Sequence, residues 1–133
     1  MTSLRLSLVV PTYNRSRELE MCLQSIRRSD YSNYELIVVD DGSSDLTHDV
    51  AARFADKTFS SRRNMGRHEA RHRGFLLAEG DIIVNIDSDN LIPGNTLSKI
   101  AAFFQEHPDV DVITGMLSIE HPNRDFLSQY KNL

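Results

Sequence analysis

The segment LRLSLVVPTYNR, residues 4–15, is a mostly apolar run that stops at a proline and continues in polar residues. Near-continuous apolar runs are typical of strands that are buried on both faces of a parallel sheet. Pro11 has no N–H to donate to a neighbouring strand, so it marks the end of the run. The segment therefore predicts a buried strand whose carboxyl end carries Pro11-Thr12-Tyr13-Asn14.

The same pattern recurs along the chain, with helical segments between the apolar runs. The other predicted strands are YELIVV (34–39), KTFS (57–60), DIIVNID (81–87) and VDVITG (110–115). Apolar residues at helical spacing predict four helices: residues 15–28, a helix carrying Val50, Ala51 and Phe54, residues 67–79, and a helix carrying Leu97, Ile100, Phe103 and Phe104. This alternation predicts a three-layer, doubly wound α/β fold with a mainly parallel sheet, and right-handed crossovers favour the central strand order 3-2-1-4.

Polar clusters follow three of the predicted strands. They are Pro11-Thr12-Tyr13-Asn14 after strand 1, Asp40-Asp41 after strand 2 and Asp87-Ser88-Asp89 after strand 4. In the order 3-2-1-4, strands 1 and 4 are neighbours across the switch point, where open α/β sheets bind ligands beyond the carboxyl ends of their strands. We therefore expect the three clusters to meet at one rim of the sheet.

Composition and charge narrow the class of protein. The 133 residues, 40% apolar and 26% charged, predict one soluble globular domain, and a net charge of −4 argues against nucleic-acid binding. Residues 62–73 nevertheless hold five arginines against one acid, which favours an anionic ligand. Cys22, the only cysteine, fits a reducing compartment and lies on an apolar helical face, where a small buried hydrophobe is favoured over a nucleophile. No apolar run is long enough to span a membrane.

The two acidic clusters each allow two interpretations. Asp87 and Asp89 offer hard oxygen ligands, which suit Mg²⁺ or Mn²⁺ shared with a diphosphate, or they simply cap the loop. An EF-hand loop is excluded because Leu91 and Ile92 stand where an oxygen ligand and a glycine are needed. A phosphate-accepting aspartate of the haloacid-dehalogenase type is disfavoured, because it would follow the first strand. Asp40 or Asp41 either caps the next helix or accepts a hydrogen bond from a nucleotide base.

The segment NMGRHEARHRG, residues 64–74, contains the spacing His68-Glu69-x-x-His72 of a zinc hydrolase helix. Three arginines at close range would repel a zinc ion, so zinc stays a minor alternative. A diphosphate suits these arginines better, with Arg71 facing the crevice and both histidines on the solvent side. Tyr13 is then available to stack on a base, although it is equally compatible with a half-buried aromatic at the sheet edge.

Five segments in order resemble the family 2 glycosyltransferases of the GT-A fold: LSLVVPTYNR, ELIVVDDGSSD, NMGRHEARHRG, AEGDIIVNIDSDN and IPGNTL. They extend over about residues 4–97. The resemblance implies an inverting transferase that takes a sugar from a nucleoside diphosphate, with a UDP-sugar as the expected donor and Mn²⁺ or Mg²⁺ as cofactor. The acceptor is not identified, and no nucleic-acid partner is expected.

The resemblance also assigns roles by position. It implies nucleotide-sugar contacts from Pro11, Thr12, Tyr13, Asp40, Asp41, Asn64, Gly66, Arg71, Asp87 and Ser88, and metal ligation by Asp87 and Asp89. Within this set Asp41 corresponds to the acid that hydrogen-bonds the base, and Arg71 to the cation beside the diphosphate. The family usually has Asn at the position of His72, a small departure from the pattern.

The expected organisation is a nucleotide-sugar-binding subdomain over residues 1–115, followed by the start of an acceptor-side region over 116–133. The late acids Glu120 and Asp125 match no acceptor motif, so the general base is expected beyond Leu133 in a longer parent enzyme. We expect this parent enzyme to be cytoplasmic, either attached to the cytoplasmic face of a membrane or not attached to a membrane. This chain alone is then expected to be inactive, and its uncovered apolar surface favours self-association. The alternative function is an inactive nucleotide-binding or assembly fragment.

Overall fold

The computed structural model describes residues 3–115, within which four strands alternate with four helices. The elements are β1 (Leu6–Thr12), α1 (Ser16–Arg27), β2 (Tyr34–Asp40), α2 (Thr47–Phe54), β3 (Lys57–Ser60), α3 (Arg67–Leu77), β4 (Ile82–Asn85) and α4 (Thr96–Glu106). Each of these eight elements was predicted from the sequence. No helix in this part of the chain has the length and apolarity needed to cross a membrane.

All strand pairings are parallel, and the strand order is β3-β2-β1-β4, which confirms the predicted order. Along β1 and β2 the register runs from Leu6 opposite Tyr34 to Thr12 opposite Asp40. On the other side of β1, Val9 lies opposite Asn85 at the end of β4. The ends of β1, β2 and β4 therefore lie side by side, and their loops leave the sheet at the same rim.

Two apolar layers bury the sheet. On one face, Leu8 and Val10 of β1 pack with Leu23 of α1, Val50 of α2 and Leu97 of α4. On the opposite face, a smaller cluster of Val9, Ile37 and Val39 packs against Ala70 of α3. The helices thus form one layer on each side of the sheet, which confirms the three-layer α/β architecture.

The contact of α3 with the sheet depends on a glycine in the helix. A Cβ at Gly74 would lie 2.3 Å from Cγ1 of Val9 and 3.2 Å from Cγ2 of Val39. The helix axis would have to move outward to admit even one methyl group, at a typical cost of about 1–3 kcal/mol. Gly74 therefore lowers helix propensity but permits α3 to approach the strands that carry the rim.

A buried carboxylate joins the other end of the sheet. Glu35 of β2 accepts hydrogen bonds from the Ser7 hydroxyl at 2.6 Å and from the backbone N–H of Glu79 at 2.7 Å, and its second oxygen lies 2.8 Å from Nζ of Lys57. Burial favours the neutral acid, but the bonds from Lys57, Ser7 and Glu79 outweigh it and lower the pKa of Glu35 to about 2. The ionised side chain ties β1, β2, β3 and the end of α3 together.

The predicted fifth strand is wrong. Residues 110–115 form no strand, and all but Val110 are exposed. A strand needs a ladder partner, and within residues 3–115 the outer edge of β4 pairs with no other segment. The alternation of apolar and polar residues in VDVITG is a local signal that cannot supply such a partner. The predicted acceptor-side region, residues 116–133, lies outside the described residues.

Candidate functional site

A cleft of about 710 Å³ opens at the carboxyl ends of β1, β2 and β4. The predicted residues that line it are Pro11, Thr12, Tyr13, Asp41, Asn64, Gly66, Asp87, Ser88 and Asp89. The three polar clusters therefore meet at one rim, as their positions after neighbouring strands predicted. In particular, Asp41 and Asp89 face the same cleft from opposite sides of β1.

The end of β1 supplies one hydroxyl and one aromatic ring to the cleft. The Thr12 side chain is buried, and its hydroxyl has no hydrogen-bond partner among the described residues. Tyr13 is 44% exposed, so much of its ring is accessible to a ligand. An unpartnered buried hydroxyl is costly, and a ligand that hydrogen-bonds to Thr12 would remove that cost.

Asn14 is attached to the loop that follows β2. The backbone N–H of Asn14 donates to the Ser43 hydroxyl at 2.8 Å, and the Asn14 side-chain oxygen accepts from the N–H of Ser44 at 2.8 Å. Asn14 has a φ of 46°, which an Asn tolerates better than most residues. These bonds hold the start of α1 in a fixed position beside the cleft.

The carboxylate of Asp41 organises the segment between β3 and α3. It accepts hydrogen bonds from the backbone N–H groups of Met65 at 2.8 Å and Gly66 at 2.9 Å, and from the Ser61 hydroxyl at 3.3 Å. This close approach needs a glycine next to Asp41, because a Cβ at Gly42 would lie 2.6 Å from the carbonyl carbon of Arg63. Asp41 therefore sets the positions of Asn64 and Gly66 as well as lining the cleft.

Asp40 and Arg71, two further predicted site residues, do not line the cleft. The buried carboxylate of Asp40 accepts a hydrogen bond from the N–H of Ser43 at 3.1 Å and lies 3.9 Å from Nδ1 of His48. It shapes the turn after β2, whereas the carboxylate of Asp45 accepts from the N–H of Thr47 at the start of α2. Neither Asp40 nor Asp41 therefore caps α2, because their carboxylates bond to Ser43 and to Met65 instead.

Each acid of the Asp87-Ser88-Asp89 cluster is paired with an arginine. Asp87 lies 3.1 Å from a terminal nitrogen of Arg71, and Asp89 lies 3.0 Å from a terminal nitrogen of Arg15. Nε of Arg71 is buried without a partner among the described residues, so this guanidinium has a further hydrogen bond to offer. Two carboxylates and two guanidiniums therefore make this side of the site close to neutral.

Cys22 lies beneath the same cluster. Its side chain is fully buried, with Sγ 3.7 Å from the carbonyl oxygen of Asp87. Burial above all, and then the negative charges of Asp89 and Asp87, raise the pKa of the thiol to about 12. The sulfur is therefore protonated and inaccessible, which agrees with the predicted role as a small buried hydrophobe.

The His-Glu-x-x-His spacing does not assemble a metal centre. His68 and His72 are exposed on α3, and the Glu69 carboxylate accepts a hydrogen bond from Nε of Arg73 at 2.8 Å. Between residues 3 and 115, no three His, Cys, Asp or Glu side chains lie close enough together to hold a metal ion. An Asp87 and Asp89 pair suits instead a cation such as Mg²⁺ or Mn²⁺, which needs only one or two protein carboxylates and completes its shell with water and phosphate oxygens.

Two basic residues of the cleft, Arg15 and Arg67, were not among the predicted site residues. Arg15 lines the cleft and pairs with Asp89, and Arg67 lines it at the start of α3. Arg15 directly follows the predicted segment Pro11–Asn14, and Arg67 directly follows Asn64–Gly66. This adjacency is the sequence signal from which both residues could have been predicted. Asn90, Ala70 and Gly115 complete the lining.

Comparison with known proteins gives consistent matches. Residues 7–131 match the family model described as glycosyl transferase family 2. The chain is 34% identical over 123 residues to a PGL/p-HBAD biosynthesis glycosyltransferase of Mycobacterium bovis, in a match covering 88% of this chain and 48% of that protein. The chain thus spans about half the length of such curated relatives.

Solved structures agree with the family match. S. aureus TarS in complex with UDP-GlcNAc has a TM-score of 0.74 and 30% identity, in a match that covers 79% of this chain and 32% of TarS. The mannosyltransferase PcManGT of Pyrobaculum calidifontis, in complex with GDP-Man and Mn²⁺, has a TM-score of 0.73 and 28% identity, covering 78% of this chain and 33% of its own.

Proposed function

The chain belongs to glycosyl transferase family 2, and we propose that its residues 1–115 bind the nucleoside diphosphate sugar from which the parent enzyme transfers a sugar. The single observation that carries this proposal is the cleft at the carboxyl ends of β1, β2 and β4, where Asp41 and Asp89 line one ligand-sized space. Similar proteins hold UDP-GlcNAc or GDP-Man with Mn²⁺ in their structures. A UDP-sugar is our preferred donor.

The base and ribose are assigned to the side of the cleft formed by β1 and β2. Tyr13 offers an exposed ring for stacking, and the Thr12 hydroxyl lacks a partner within the described residues. The Asp41 carboxylate is held in place by two backbone N–H groups and faces the cleft. A carboxylate in that position is suited to accept a hydrogen bond from the imide N–H of a uracil.

The diphosphate and the metal are assigned to the side formed by β4 and α3. Asp89 is the proposed metal ligand, and Asp87 contacts either the metal or the ribose. Arg71 does not itself line the cleft, but it pairs with Asp87, which does, and its Nε has no hydrogen-bond partner within residues 3–115. We therefore assign Arg71 to a phosphate oxygen that enters beside Asp87. Asn64 and Gly66 supply polar groups at the opening of α3, and the buried Ser88 completes this wall.

The proposed reaction is inverting displacement at the anomeric carbon. A bound Mn²⁺ or Mg²⁺ would neutralise the charge that develops on the departing diphosphate. The acceptor hydroxyl needs a general base, and the acids that line the cleft are already engaged: Asp41 by backbone N–H groups, Asp87 by Arg71 and Asp89 by Arg15. We therefore assign the general base to residues outside 3–115. Because Glu120 and Asp125 match no acceptor motif, we expect no sugar transfer by this chain alone.

Calorimetric titration with UDP and GDP, with and without Mn²⁺, tests the proposal. We expect UDP to bind, with Mn²⁺ increasing its affinity. Asp89→Ala should remove at least about tenfold of the metal-dependent affinity, since even indirect supports of a metal site contribute about 10–100-fold. Asp109→Asn, an exposed acid far along the chain from the cluster, is the matched control. The proposal would be refuted if Mn²⁺ increased the affinity of neither UDP nor GDP.

A further inference from the structure

Arg15 is held at the edge of the cleft by its backbone. Its N–H donates to the Thr47 hydroxyl at 3.0 Å, and its carbonyl oxygen accepts from the N–H of Leu19 at 2.8 Å. These two bonds tie the backbone of Arg15 to the start of α2 and the start of α1. The Arg15 side chain lines the cleft and ends 3.0 Å from Oδ2 of Asp89.

We propose that Arg15 competes with the divalent metal for Asp89 and so makes metal binding depend on the diphosphate, an inference that rests on the proposed function. A guanidinium at hydrogen-bond distance cancels much of the negative charge on Asp89. It also repels a doubly charged ion that approaches the same carboxylate. A metal ion arriving alone therefore has to displace Arg15 from a partner before Asp89 can coordinate it.

A nucleoside diphosphate changes this competition. Its phosphates bring negative charge into the cleft that Arg15 also lines, and a guanidinium binds phosphate oxygens at least as well as it binds a carboxylate. When Arg15 turns toward a phosphate, it no longer competes with the metal for Asp89. Because linkage is reciprocal, the nucleotide then raises the affinity for the metal by the same factor by which the metal raises the affinity for the nucleotide.

The neighbouring pair of Arg71 and Asp87 is less suited to this exchange. The Arg71 side chain is 26% exposed, against 44% for Arg15, and it has a buried Nε. Moving Arg71 would require its buried Nε to leave its present surroundings, whereas the more exposed Arg15 side chain can turn through solvent. The exchangeable pair is therefore the one that includes the proposed metal ligand.

The test measures Mn²⁺ binding without nucleotide, by the electron paramagnetic resonance signal of free Mn²⁺, for the parent chain, Arg15→Gln and Arg17→Gln. Arg17 is an exposed arginine of α1 with no ion pair within residues 3–115. R17Q therefore serves as the control, because it removes the same positive charge as R15Q without breaking an ion pair. We expect R15Q to bind Mn²⁺ about three- to tenfold more tightly, the range of a partly exposed ion pair, and R17Q to stay within about twofold of the parent. Arg15→Lys keeps the positive charge and should also stay near the parent.

A second titration separates this inference from the function on which it rests. UDP binding with and without Mn²⁺ gives the coupling factor, which we expect to fall in R15Q by the factor that Mn²⁺ binding gains. The role of Arg15 would be overturned if R15Q and the parent bound Mn²⁺ with equal affinity, or if neither bound Mn²⁺ detectably. So would an R15K affinity equal to that of R15Q. Failure of UDP to bind the parent would refute the proposed function, while tighter Mn²⁺ binding by R15Q would still support the competition at Asp89.

Discussion

Replacing Asp41 with Asn tests whether this residue builds the cleft as well as facing it. The carboxylate accepts two backbone N–H bonds, from Met65 and Gly66, and a third bond from Ser61. An Asn side chain has one acceptor oxygen, so one of the two N–H groups would face an amide NH₂ instead. Hydrogen bonds to a charged acceptor contribute about 1.5–3 kcal/mol, but both of these are only part-buried, and the Gly66 N–H has a second acceptor in Oδ1 of Asn64 at 3.0 Å. We therefore expect Asp41→Asn to lower the free energy of unfolding by about 1–3 kcal/mol.

Urea unfolding followed by circular dichroism measures this loss, with Asp109→Asn as the control that removes an exposed carboxylate. Hydrogen exchange adds a local test, because the amides of Met65 and Gly66 should exchange faster in Asp41→Asn while those of β1 stay protected. UDP affinity should fall as well, since Asn64 and Gly66 lie on the released segment. A loss below about 0.5 kcal/mol, with unchanged exchange at residues 65 and 66, would refute the structural role and leave only a direct contact with the ligand.

Two further predictions concern groups with shifted pKa values. Ionised Glu35 has a pKa of about 2, below its ordinary value of 4.5, so it stabilises the fold fully above pH 4.5; this contribution, on the order of 3 kcal/mol, is lost as the pH falls from 4.5 toward 2. The free energy of unfolding of Glu35→Gln should accordingly vary less with pH over that range, and equal slopes for variant and parent would contradict the assignment. Cys22, with a pKa raised to about 12 by burial and by Asp89 and Asp87, should react with a disulfide reagent at pH 8 only as fast as the chain unfolds. Rapid labelling of the native chain would show that the packing around Cys22 is wrong.

The architecture was predictable because its signals are strong and local. Runs such as LSLVV and ELIVV are too continuously apolar for a sheet with one wet face, so helices had to cover both sides. Right-handed crossovers then left few strand orders. The convergence of Thr12, Asp41 and Asp89 follows from that order alone, since each lies at or just beyond the end of a strand.

The pairing of side chains within the cleft was not predictable in the same way. Asp40 and Asp41 are adjacent in sequence, yet one carboxylate bonds to the turn after β2 and the other to the segment before α3. Strand alternation points neighbouring side chains in different directions, and only the fold decides which of them reaches the cleft. The role of Arg15 in the cleft was not predicted for a related reason, because its partner Asp89 lies 74 residues away in sequence.

The fifth strand fails for a further reason. VDVITG has the composition of a strand, but a strand is stable only when its N–H and C=O groups pair with a neighbour. Local composition does not reveal whether the neighbouring edge is available. Within residues 3–115 that edge belongs to β4, which is four residues long and exposes Ile83 on its surface.

The charges around the proposed metal ligand indicate which ligand the cleft is suited to bind. Asp87 and Asp89 are paired with Arg71 and Arg15, so a cation alone would have to compete with two arginines, and an anion alone would have to compete with two carboxylates. Either exchange replaces one partly exposed ion pair by another and therefore gains little. A metal ion together with a diphosphate supplies both partners at once. A nucleoside or a free sugar supplies neither, so the affinity of the proposed site should reside mainly in the metal–diphosphate part of the donor, with Tyr13 and Asp41 selecting the base.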